Sequence, residues 1–92
     1  MQYLEPKDPD ESVDYQIDWS NELEVGEVIS SSTWTVPVGI TDLGKANSDT
    51  GTTIFLEGGV AGEEYMISNK IVTDSSPART HEKTMIVPVL QD

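Results

Sequence analysis

From Val13 to Trp19 the chain alternates without a break. Val13, Tyr15, Ile17 and Trp19 take one side, and Asp14, Gln16 and Asp18 take the other. Successive side chains of an extended strand point to opposite faces, so this run buries one face and wets the other only as a β-strand. A helix of the same residues would spread the apolar side chains around its circumference. A half-buried strand needs a second layer over its apolar face, which points to a fold built from packed sheets.

The rest of the chain supplies strands of similar length. Val28 to Val36 is rich in Ser, Thr, Val, Ile and Trp, residues suited to a pleated surface. Its phase puts Val28, Ser30, Ser32, Trp34 and Val36 on one face and Ile29 on the other. Thr52 to Glu57 has a continuous apolar middle, Ile54-Phe55-Leu56, as expected of a strand covered on both faces. Glu64 to Thr73 places Tyr65, Ile67 and Ile71 together, after the Gly-rich reversal at residues 58–63. His81 to Leu90 is the last strand, with Met85, Val87 and Val89 in one phase. Ser20 to Leu23 reads as one helical turn capped by Ser20, and 39–51 as a polar loop. Five or six strands and no long helix predict an all-β fold, a small antiparallel β-sandwich or barrel. Its core is expected from Tyr15, Ile17, Trp19, Trp34, Ile54, Leu56, Tyr65, Ile67, Met85 and Val87.

Pro6 and Pro9 disfavour helix and hold the residues before them extended. Residues 1–11 are therefore expected to be an extended, solvated acidic arm, dispensable for folding, and residues 12–92 the sandwich domain. Met1 to Pro6 lacks a basic region followed by an apolar run, so no targeting segment is expected.

A chain of 92 residues buries about two thirds of its unfolded surface, enough for one modest core but not for a deep substrate cleft. The absence of cysteine excludes disulfides, thiolate zinc sites and cysteine nucleophiles. Seventeen acids against five bases leave a net charge of −12. That balance opposes binding to nucleic acid or to anionic membranes, and no apolar run approaches a membrane span. It favours a basic protein partner. Nine of the acids lie within residues 1–27, where Lys7 is the one base.

No constellation in the sequence carries catalysis. His81 is the single histidine, no Gly-x-Ser-x-Gly elbow presents a nucleophile, and His81 is expected to be exposed and structural. The segment 58–62 lacks the Gly-Lys-Ser/Thr ending of a phosphate loop. Asp8, Asp10, Glu11 and Asp14 lack EF-hand spacing. No enzyme activity and no cofactor are expected. The charge-rich arm is the candidate partner-binding segment: Tyr3 and Leu4 as apolar anchors, Asp8, Asp10 and Glu11 as steering charges.

Several segments together resemble small virion structural proteins of tailed bacteriophages. They are Lys7-Asp8-Pro9-Asp10-Glu11 with Tyr15-Gln16-Ile17-Asp18-Trp19, Ser32-Thr33-Trp34-Thr35-Val36 with Gly39-Ile40, and the run from Leu56 to Thr73. The turn Asp74 to Arg79 departs from the pattern, which has a glycine there. The resemblance implies an immunoglobulin-like fold and a place in the virion after assembly in the host cytoplasm. It also implies contacts with other virion proteins, major capsid or head-tail proteins, as a capsid decoration or connector protein that can oligomerise within the particle. The alternative from the residues alone is a free-standing β-sandwich that binds carbohydrate or calcium.

Overall fold

The computed structural model describes residues 2–91. Among these residues seven strands follow one another: β1 (Gln2–Tyr3), β2 (Ser12–Asp18), β3 (Ile29–Thr35), β4 (Ile40–Asn47), β5 (Gly51–Gly58), β6 (Glu64–Thr73) and β7 (Thr80–Pro88). They form two sheets, one ordered β1-β7-β6-β3 and the other β2-β5-β4. Every pairing is antiparallel except that of the short β1, which runs parallel to β7. The result is the expected small β-sandwich, elongated to 45 × 23 × 19 Å.

Alternation builds the core. Tyr15, Ile17 and Trp19 of the β2 run, with Ile54 and Leu56 beside them in β5, pack in one core with Ile67, Ile71, Met85 and Val87 of the opposite sheet. Nine of the ten residues expected in the core are buried, and Tyr65 is half-buried against it. Ile29, Ile40, Ile71 and Val89 complete the layer. Ile29 and Trp34 have opposite parity, yet both are buried. A bulge between Ile29 and Ser31 in the pairing with β6 resets the phase by one residue.

Other expectations are corrected. The segment 39–51 holds a whole edge strand, β4, whose alternation is broken by a second bulge between Asp42 and Gly44. β5 is covered on one face only, because Phe55 is 46% exposed. The turn after β2 is a 3₁₀ turn at Ser20–Glu22, and the Ser20 side chain does not cap it; Asp18 Oδ1 accepts the Ser20 N–H at 2.9 Å instead. His81 is half-buried, with its ring 6.5 Å from that of Trp19.

The sandwich closes on a polar centre. Trp19 Nε1 donates to Thr52 Oγ1 and Asn69 Oδ1, both at 3.1 Å. The Thr52 hydroxyl donates to the same Asn69 oxygen at 2.7 Å, and Asn69 Nδ2 donates to Ser32 Oγ and Thr33 O. Trp19, Thr52 and Asn69 are all essentially inaccessible to solvent. Buried polar groups are tolerated when paired, and this set ties the two sheets together.

Candidate partner-binding end

Residues 1–11 are extended but do not stand away from the domain. Gln2 and Tyr3 pair with Met85 and Ile86, and Leu4 N donates to Ile86 O at 2.8 Å. Lys7 forms an isolated bridge with Val89, its N–H donating to Pro88 O and its carbonyl accepting the Leu90 N–H. The Lys7 side chain is fully buried, and Nζ donates to Asp8 O and Gly58 O, both at 2.8 Å. One side chain thus fastens the arm to the end of β5 while its backbone fastens it to β7. Tyr15 adds a third tie, its hydroxyl donating to Glu5 O at 2.9 Å. Burial, and then the Glu11 and Glu5 charges, push the Tyr15 phenol up to about 12.

The five candidate residues divide by role. Leu4 packs inward against the core. Tyr3 is 57% exposed, its hydroxyl 3.3 Å from Glu64 Oε1. Asp8 and Glu11 close a local turn: Asp8 N donates to Glu11 Oε1, Asp10 N to Asp8 Oδ1, and Glu11 N to Asp8 O. Asp10 and Glu11 remain on the surface.

The docked arm completes one end of the sandwich, together with the β3–β4 and β5–β6 connections and the segment after β7. Contacts join these pieces. Gly62 N donates to Val89 O, and Val60 N donates to the Tyr65 hydroxyl. At Gly59, where φ is +99°, a Cβ would lie 2.7 Å from Val89 Cγ2, so only glycine fits. This end exposes three apolar side chains, Val38, Val60 and Leu90. The exposed acids Glu5, Asp10, Glu11, Glu57, Glu63 and Glu64 lie in the arm, strand ends and connection of this same end, and the one lysine there, Lys7, is buried. Apolar groups set among acids form a surface for a partner with a basic rim. Sequence reasoning missed Val38, Val60 and Leu90 because they lie in two connections and the segment after β7, which only the fold places at one end.

The opposite end is held by its own charges. Glu27 Oε1 accepts the Glu24 N–H, Asp74 Oδ1 accepts the Val28 N–H, and Arg79 bridges to Glu24 at 3.1 Å. The Glu27 carboxyl is held down to about 2, first by the nearby Ser75 hydroxyl and then by the Glu24 N–H. Among the described residues no group of three or more His, Asp or Glu side chains is placed to hold a metal ion, and the Asp8 and Glu11 carboxylates accept backbone N–H groups of the local turn.

A two-layer β fold whose surface chemistry is an acid-rich apolar end is that of a protein-binding module. The family model of the podophage GP4 fiber-tail adaptor protein gp77 matches residues 7–88, and the chain belongs to that family. It is a structural component of a tailed-phage virion and works by binding other virion proteins. No curated protein matches the chain.

Proposed function

We propose that this protein is a connector of the phage tail that joins a fibre to the tail body, with the acid-rich end as one of its docking surfaces. The carrying observation is the pairing of its family, described as a fiber-tail adaptor, with an end that exposes Val38, Val60 and Leu90 along with six acids. Of the two roles that the resemblance implies, capsid decoration and connector, the family's description favours the connector. A rigid sandwich 45 Å long suits a connector, because its two ends can meet different partners. Tyr3, Asp10 and Glu11 contribute to the docking surface directly. Leu4 and Asp8 contribute by fixing the arm that carries them.

We also infer an immunoglobulin-like topology. What supports this is the strand order, β2-β5-β4 against β1-β7-β6-β3, together with Trp34 buried on the third strand. Tyr65 opens β6, and its hydroxyl accepts a backbone N–H five residues upstream, the arrangement of a tyrosine corner.

The test replaces Val60 and Glu63 with Lys in the full chain and follows incorporation into particles by mass spectrometry. Both side chains are exposed, so the melting temperature should hold. Incorporation should fall at least about tenfold, the equivalent of ~1.4 kcal/mol of lost docking. Particles lacking the protein should retain head and tail but lose the fibre. Fibre-bearing particles without it, or unchanged incorporation of the variant, would refute the role.

A further inference from the structure

We propose that the outer face of the β1-β7-β6-β3 sheet is a self-association surface, whose occupant is the same face of a second copy of this chain. The observation is its charge. The side chains that alternate with the buried ones on β3, β6 and β7 form cross-strand rows. These are Thr33-Lys70-Glu82, Thr35-Ser68-Thr84 and Met66-Ile86-Tyr3. Beyond them lie Val72, opposite Thr80, and Glu64, opposite Pro88. Hydroxyls and apolar groups dominate, and Lys70, Glu82 and Glu64 are the only charges in these rows. Their balance is −1 on a protein of −12.

The other broad face differs. The outward phase of β2 and β5 carries Asp14, Asp18 and Glu57, while Lys45 of β4 is paired with Asp42 at 2.9 Å. Two such faces would repel, as would two acid-rich ends. The β1-β7-β6-β3 face is where two highly acidic copies can meet at low electrostatic cost. It is also self-complementary. Lys70 lies directly opposite Glu82 in the register, so a two-fold contact sets mixed charge against mixed charge. Met66, at 56% exposed, and Tyr3, at 57%, supply apolar area in one row with Ile86.

The size of the face sets the strength. The strands β3, β6 and β7, of 7, 10 and 9 residues, span roughly 30 by 15 Å, and the 2-residue β1 adds one corner. That buries about 1,000 Å² over both copies, at the lower edge of specific interfaces. The dimer should therefore be weak and reversible when free, and reinforced where neighbouring copies are held in a particle.

Analytical ultracentrifugation of the full chain over a concentration series, at about 0.1 M and about 1 M NaCl, tests this. A reversible dimer is expected, tighter at high salt because the remaining repulsion is screened. Met66→Glu and Thr33→Glu, both at exposed positions, should each weaken it at least about tenfold. Phe55→Glu, on the opposite sheet, should leave it unchanged, and circular dichroism of all three should match the parent. A monomer at every concentration and both salts would overturn the proposal. So would dissociation by Phe55→Glu equal to that caused by Met66→Glu.

Discussion

Asn69 is fully buried, and both ends of its amide are bound. Its oxygen accepts from Trp19 and Thr52, and its nitrogen donates to Ser32 and Thr33. Asn69→Ala removes four hydrogen bonds at once and leaves the Thr33 carbonyl without this donor. An unsatisfied buried group costs ~1–3 kcal/mol, and the space left by the amide adds to it. Asn69→Ala should lose ~2–4 kcal/mol, which for a domain of this size lowers the melting temperature by ~10–20 °C. Urea denaturation with an unchanged slope would read this directly. A loss under ~1 kcal/mol would show that Trp19, Thr52 and Ser32 repair the network among themselves. In sequence, Asn69 is visible only as a polar residue in the inward phase of Ile67 and Ile71. Its partners lie on three other stretches of chain, and nothing local announces them.

Elements were legible where alternation was clean and illegible where a bulge or a weak strand former intervened. The β2 run, β6 and β7 alternate through their length, so their inward residues are those that the pattern names. β3 broke the rule because its bulge lets Ile29 and Trp34 share one side. β4 was hidden by its composition: Asp42, Gly44, Lys45, Ala46 and Asn47 are poor strand formers, and the pairing with β5 imposes the strand. The arm was hidden for another reason. Proline and acids say extended and wet, but they cannot say that the Lys7 ammonium would find the carbonyls of Asp8 and Gly58. Removing residues 1–11 takes away those bonds, the cover on β7 and the acceptor of the Tyr15 hydroxyl. Each net hydrogen bond is worth ~1 kcal/mol, so truncation should cost at least ~2 kcal/mol. Differential scanning calorimetry should place the truncated domain ~10 °C or more below the full chain. Equal melting temperatures would return the arm to a solvated tail.

At the scale of the whole molecule, charge is the dominant surface property, and it was legible from composition alone. The location of the acids was half legible: the excess in residues 1–27 is written in the chain, but Glu57, Glu63 and Glu64 join it only through the fold. Folding compresses this charge into a body whose short axes are 23 and 19 Å. At about 0.01 M salt the screening length is ~30 Å, so acids on opposite faces repel one another through it. At about 1 M the length is ~3 Å, and only direct neighbours still interact. Among the described residues, three surface ion pairs oppose this trend: Asp42–Lys45, Glu24–Arg79 and Glu22–Lys83. Screening weakens them too, but exposed pairs contribute at most ~1 kcal/mol each. The longest, Glu22–Lys83 at 3.7 Å, adds least, and Lys83 also sits 4.8 Å from the Trp19 ring centre, a contact that exposure to salt affects less. Against three pairs stands a net excess of twelve negative charges, so relief of repulsion should win. Raising NaCl from about 0.01 to about 1 M should lift the melting temperature by ~5–10 °C, equivalent to ~1–2 kcal/mol. A melting temperature that falls over this range would mean that the three pairs outweigh the repulsion. Arg79→Gln, which removes the Glu24 partner, would then flatten the fall, whereas under dominant repulsion it should steepen the rise.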